Sequence, residues 1–220
     1  MSKILDWLDS LLIHDSYQRT VRRWFRDKGD STLRLDYPLN ADSIVLDVGG
    51  YKGDFSALIH EKFNCRIFIF EPVPTFYCIC QKRFASNPKI ITLNYGLSDT
   101  SKTSQIYISE DASSFYKRTP KTLGEVEVAE LRDCPAVFKD LAIENVDLMK
   151  INIEGGEYDL LQKLIDSTLI EKIRYLQIQF HNFVENSKEK RQNLRSQLAK
   201  THVEMWNYEF VWESWRLKSI

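Results

Sequence analysis

From residue 44 onward, short apolar runs alternate with stretches whose apolar residues recur at helical spacing. Ile44-Val45-Leu46-Asp47-Val48, Arg66-Ile67-Phe68-Ile69-Phe70 and residues 90–95 have strand length and composition. Residues 54–63 and 75–84, between them, carry apolar positions three and four apart and predict helices. Strands that are apolar on both faces and alternate with helices predict a parallel sheet covered on both sides. The rhythm returns with a strand over 146–153, a helix over 158–170, a strand over 175–180 and a charged helix over 187–200. Residues 202–206 and 210–217 then predict an antiparallel pair turning at Asn207-Tyr208. The predicted class is α/β, a mostly parallel, doubly wound sheet with an antiparallel C-terminal strand.

Two regions depart from this rhythm. Within 96–142, residues 105–108 and 126–128 predict strands, and Ala112-Ser113-Ser114-Phe115-Tyr116-Lys117 between them predicts a polar loop. An insertion at about 100–142 is the expected organisation. At the other end, residues 3–28 predict a helix. Ile4, Leu5, Leu8, Leu11, Leu12, Val21, Trp24 and Phe25 form one face, and Arg19, Arg22, Arg23 and Arg26 lie opposite. A membrane-surface helix competes with a cap helix packed on the domain or on a second subunit. Asp6, Asp9 and Asp15 oppose an anionic surface and favour the cap. Residues 1–40 therefore read as a helical extension with a linker, and 41–220 as the principal domain.

Composition narrows the function. Of 220 residues, 43% are hydrophobic and 28% charged, enough apolar material for one such domain. With 30 basic and 31 acidic residues, the chain lacks the basic excess of nucleic-acid binders, and no such partner is expected. Cys65, Cys78, Cys80 and Cys134 form no CxxC pair and read as neutral thiols. No run reaches the ~18 apolar residues of a transmembrane helix, and the N-terminus does not read as a signal peptide. A cytoplasmic location is expected.

The chemistry centres on Asp47-Val48-Gly49-Gly50-Tyr51-Lys52-Gly53, between the first strand and its helix. Glycines there admit a ligand close to the backbone, and the helix start offers free N–H groups. Glu71 ends the second strand, 24 residues after Asp47. In a doubly wound sheet that position neighbours the first turn, where a carboxylate can accept from both ribose hydroxyls. Together they predict an adenosine-containing ligand. The glycine spacing does not fit the G-x-G-x-x-G turn of a dinucleotide site. Asp47 repels phosphate but suits an amine and a sulfonium, which favours S-adenosylmethionine over NAD.

Four stretches carry a family resemblance: the glycine turn; Phe70-Glu71-Pro72-Val73-Pro74; Asn94-Tyr95-Gly96-Leu97-Ser98-Asp99; and Leu148-Met149-Lys150-Ile151-Asn152-Ile153-Glu154-Gly155-Gly156-Glu157. Over residues 40–185 the chain resembles FkbM-type methyltransferases, whose usual form of the last motif is L-K-I-D-V-E-G-x-E. The resemblance implies a Rossmann-like class I methyltransferase fold and S-adenosylmethionine as donor, with S-adenosylhomocysteine as product. It also implies O-methylation of a sugar, glycan intermediate or secondary metabolite. The expected cofactor residues are Asp47, Gly49, Gly50, Tyr51, Gly53, Glu71, Pro72, Gly96 and Leu97. The sequence departs from the pattern at Asn152, where the family usually has Asp; Asn can orient a hydroxyl but cannot take its proton.

Methyl transfer to a hydroxyl requires donor and acceptor held in line, and a base. Glu154 and His181 follow the fourth and fifth predicted strands and are the candidate bases, with Asn152 beside them. Ser113 and Ser114 are candidates for the acceptor pocket. Glu154, Glu157 and Asp99 could supply oxygen ligands to a metal, but nothing in their spacing demands one and no metal is expected. The aromatic cluster Trp206, Tyr208, Phe210, Trp212 and Trp215 reads as core or, with the N-terminal helix, as a homodimer contact. Two alternatives remain on the sequence alone: an NAD-dependent oxidoreductase on the same fold, and a non-catalytic binding protein with a degenerate cofactor site.

Overall fold

The computed structural model describes residues 16–108, 113–114 and 126–218. The described residues open with helix α1 (16–26). They continue through β1 (Ile44–Val48), α2 (Asp54–Phe63), β2 (Arg66–Phe70), α3 (Pro74–Phe84) and β3 (Ile90–Leu93). The middle region holds β4 (Gly96–Ser98), β5 (Lys102–Ile108), β6 (Ser113–Ser114), β7 (Val126–Asp133) and α4 (Cys134–Asp140). Then follow β8 (Val146–Ile151), α5 (Glu157–Asp166), β9 (Ile173–Ile178), α6 (Ser187–Thr201), β10 (His202–Tyr208) and β11 (Trp212–Leu217).

A seven-stranded sheet runs β10-β11-β9-β8-β1-β2-β3. Its five strands from β3 to β9 are parallel, and β11 lies antiparallel between β9 and β10. The apolar runs explain why. In β1, β2 and β8 successive residues point to opposite faces, and both faces are covered. Leu46, Phe68 and Met149 join one core with α4, α5 and α6. Their neighbours Val45, Ile67 and Leu148 join the other, with α2 and α3. The chain winds outward from β1 to β3, then returns to β8 on the far side of β1. That reversal opens a crevice at the carboxyl ends of β1 and β8.

The middle region departs from the sequence expectation. β4-β7-β5-β6 form a second sheet. β5 and β7 are longer than their apolar runs, because β5 opens with the polar Lys102-Thr103-Ser104-Gln105 and β7 runs on through Glu130, Arg132 and Asp133. Ser113-Ser114, expected in a loop, pairs through its backbone with Tyr107 and Ile108 of β5; two residues carry no periodicity to read. The rest of that expected loop lies outside the described residues. α4 was not predicted either, being seven residues long. Its start is nevertheless marked: Asp133 accepts from the Ala136 N–H at 3.3 Å.

α1 docks on the β10–β11 hairpin. Trp24 is 2% exposed and packs among Val211, Trp212, Trp206 and Tyr208. Its ring meets Tyr208 edge-on at 5.0 Å between centroids. Arg23 donates to the Asn207 carbonyl at 2.7 Å and lies over the Tyr208 ring. Residues 16–26 thus form a cap on the domain, while the expected helical segment before residue 16 lies outside the described residues. Phe210, Trp212 and Trp215 are buried within the same chain. Beneath the hairpin, Arg191 and Arg195 of α6 converge on the buried Glu213 of β11. Among the described residues no helix is long and apolar enough to cross a membrane.

If α1 is an integral part of the fold, Trp24→Ala costs about 3–5 kcal/mol, as other large-to-small core changes do. Urea unfolding measures this; a loss below ~1 kcal/mol would show α1 to be peripheral to the core.

Candidate active site

At the crevice lies a cavity of ≈ 290 Å³. Gly49 and Tyr51 reach it from the β1–α2 turn, Glu71, Pro72 and Val73 from the end of β2, and Asn152, Ile153, Glu154 and Gly156 from the β8–α5 loop. Asp159 of α5 lies at its side. The second sheet forms the opposite wall with Gly96, Leu97 and Ser98 of β4, Lys102, Ser104 and Ile106 of β5, and Leu131 of β7. Lys102, Ser104 and Ile106 are alternate residues, as one face of a strand requires.

The glycine turn divides its labour. Gly49 has φ +82°, and a Cβ there would meet the Asn152 carbonyl oxygen at 2.0 Å. The turn after β1 and the loop after β8 are therefore in direct backbone contact. Gly53 has φ +80° and starts α2, where a Cβ would strike Phe84. Gly50 is packed on Ile69. Of the three glycines, Gly49 faces the cavity, and the other two let the turn close.

Asp47 stands behind this turn. It is fully buried, receives a hydrogen bond from Ser56 Oγ at 2.6 Å, and pairs with Lys150 Nζ at 2.9 Å. Lys150 also donates to the Gly49 carbonyl at 2.6 Å. The carboxylate expected to face a ligand cation is thus occupied by a protein cation and does not line the cavity. Asp47 and Lys150 are register partners across β1 and β8. Sequence reasoning did not single out Lys150 as Asp47's partner, though a lysine inside an apolar central strand was a usable signal.

Glu71 occupies the position expected of it. It is buried; Oε2 accepts from Tyr51 N–H at 2.7 Å and Oε1 from Val73 N–H at 2.9 Å. Burial pushes its carboxyl up to about 7, against the pull of the two N–H groups and Lys150.

The β8–α5 loop carries the second cluster. Asn152 lines the cavity with Oδ1 buried and without a hydrogen-bond partner among the described residues. Glu154 has φ +49°, and Gly155 follows at +107°. His181, after β9, does not line the cavity but stands behind Glu154, with Nε2 3.4 Å from Glu154 Oε1. Its Nδ1 is 3.0 Å from Oε1 of the wholly buried Glu157. Burial works against protonation of this ring, but hydrogen bonds and charges from Glu154 and Glu157 outweigh it and push His181 up to about 9. The two carboxylates thus favour the doubly protonated ring, and the ring stands behind Glu154 and outside the cavity lining. Asp99 is not part of this group, since its Oδ1 is bonded to Ser98 and Lys102. The side chains of Ser113 and Ser114 lie outside the described residues.

A doubly wound sheet with a glycine turn, a buried acid after β2 and a cavity at the switch point has the architecture of the class I methyltransferase fold. The chain belongs to the Methyltransferase FkbM domain family, whose sequence profile matches residues 47–210. It is similar to the methyltransferase sdnD of Sordaria araneosa, 24% identical over 62% of this chain and 65% of that protein. It is also similar to the AMB antimetabolite synthetase AmbE of Pseudomonas aeruginosa, 25% identical over 74% of this chain but 10% of that protein. The crystal structure of methyltransferase FkbM from Methylobacillus flagellatus KT shares the fold, with TM-score 0.53 and 13% identity over 82% of this chain and 44% of that one. The chain thus spans less than two thirds of the length of each. The match makes this a domain of the methyltransferase family and speaks against the oxidoreductase alternative.

The His181 cluster sets a pH dependence of stability. A histidine raised from 6.5 to about 9 in the fold stabilises fully below pH 6.5, and the contribution fades as pH climbs through about 9. Relative to His181→Gln, the wild-type thermal midpoint is expected to fall across that interval. Parallel curves for the two proteins would show that the ring is not held as a cation.

Proposed function

We propose that this methyltransferase uses S-adenosylmethionine and transfers its methyl group to a hydroxyl of a sugar, glycan intermediate or secondary metabolite. The observation that carries the donor assignment is Glu71, a buried carboxylate that lines the cavity beside the glycine turn. Each oxygen has one backbone donor and lone-pair capacity left for a ribose hydroxyl. Asn152 Oδ1 adds a buried acceptor awaiting an N–H or O–H from a ligand. Pro72, Val73, Gly96 and Leu97 supply apolar surface for a purine, and Gly49 lines the cavity where the ligand's amino-acid end would lie. When bound, S-adenosylmethionine supplies an electrophilic methyl group on a sulfonium that departs as a neutral thioether.

The chain's own residues then have to hold the acceptor and take its proton. Glu154 is the carboxylate of the β8–α5 loop that lines the cavity, and we assign it as the base. Asn152 orients the hydroxyl without taking its proton. Glu154 would take the proton that the acceptor hydroxyl gives up on methylation, while the bound donor would supply the methyl group. The sugar or metabolite character of the acceptor rests on the family resemblance and is supported by one relative's description as an antimetabolite synthetase.

Calorimetry tests the donor site. S-adenosylhomocysteine should bind at least ten-fold more tightly than NAD, and more tightly as pH rises through about 7, where Glu71 ionises. Glu71→Gln should weaken binding about ten-fold or more and flatten that pH dependence. Binding of NAD without S-adenosylhomocysteine would overturn the assignment. For the base, Glu154→Gln should lower kcat about 10²-fold or more with cofactor affinity intact; near-normal turnover removes Glu154 from the role.

A further inference from the structure

Glu157 opens α5, where the helix dipole favours an anion. It is wholly buried, and its two oxygens serve three donors. Oε2 accepts from Gly155 N–H at 2.8 Å. Oε1 accepts from His181 N–H at 2.8 Å and stands 3.0 Å from His181 Nδ1. One carboxylate therefore ties the loop after β8 to the segment after β9. Nδ1 must carry a proton to meet Glu157, which leaves Nε2 to meet Glu154. A carboxylate on each side makes the doubly protonated ring the species that satisfies both.

We propose that Glu157 and His181 are positioning residues for Glu154: Glu157 fixes the imidazole ring, and the ring's Nε2–H holds the Glu154 carboxylate toward the cavity. The inference rests on the methyltransferase reading of that cavity and on Glu154 as its base. Two further observations support it. Glu154 holds a left-handed backbone conformation that is unfavourable for a non-glycine residue, so the position is maintained against strain. On its other side the ring is held by Glu157, whose carboxylate is wholly buried against Nδ1. The titratable groups that bear on the imidazole are Glu154 of the β8–α5 loop and Glu157 of α5. Tyr158 of α5 donates to the His181 carbonyl at 2.8 Å, and the Phe183 ring lies 5.2 Å away. During methyl transfer the acceptor's proton ends on Glu154, and neither His181 nor Glu157 gains or loses one. The arrangement fails when His181 deprotonates, which places an alkaline limb on activity.

The test is Glu157→Gln in the full chain, read first by NMR of the histidine rings. Wild-type His181 should titrate near 9 and the variant at least one pH unit lower. A wild-type titration near 6.5, or one that the substitution does not move, overturns the proposal. This reading needs no turnover, so its failure leaves the methyltransferase assignment standing; absence of S-adenosylhomocysteine binding would defeat that assignment without altering the titration. In the pH profile of kcat, Glu157→Gln should lower the plateau at least ten-fold and move the alkaline limb down by a similar pH interval, with KM for the donor unchanged. An unmoved limb overturns the proposal. If Glu157→Gln does not fold, His181→Gln serves: the alkaline limb should vanish, and its persistence overturns the proposal.

Discussion

The site depends on one ion pair placed where charge is most expensive, at the centre of the sheet. Asp47 and Lys150 face each other across β1 and β8, both almost without solvent. Such a pair is tolerated when its remaining hydrogen-bonding capacity is filled, and here Ser56 and the Gly49 carbonyl fill it. The pair is also a constraint on register. Sliding β8 by one residue along β1 would leave two buried charges unpaired and turn every apolar side chain of β8 to the wrong face. With the register fixed, the Gly49 turn and the Asn152 loop emerge side by side, and the cavity between them follows.

Glu71 shows the same economy on the neighbouring strand. Its carboxylate closes the turn through Tyr51 and the segment after β2 through Val73. A group expected only to receive a ligand is thus also what shapes the place where the ligand would lie. Its raised carboxyl is the electrostatic cost of that position.

The main sheet was legible because burial on both faces writes itself as unbroken apolar runs, and helices on both sides as three-and-four spacing. The turn after β1 and Glu71 were legible because they fall at strand ends. What the sequence hid were relations between strands far apart along the chain. Asp47 looked like a ligand group because its partner lies 103 positions away, opposite it only once β1 and β8 are adjacent. Glu157 and His181, 24 positions apart, looked like a metal-ligand candidate and a base until the fold joined them. The second sheet was hard to read because β5 opens with four consecutive polar residues and β7 ends in Arg132-Asp133, and β4 and β6 are too short to show any period.

The cavity has a floor and a wall of different kinds. The floor is made of backbone turns and charges knitted into the seven-stranded sheet, where most changes would propagate through the core. The wall is one face of a separate small sheet, met by alternate side chains of β5 at 102, 104 and 106. Of these, Ile106 is packed into the core with Val73 and Phe76, whereas the side chains at 102 and 104 can be exchanged while the strand's own hydrogen bonds stay in place. Drift at 102 and 104 can therefore change the chemistry of the cavity wall while leaving the sheet beneath it in place.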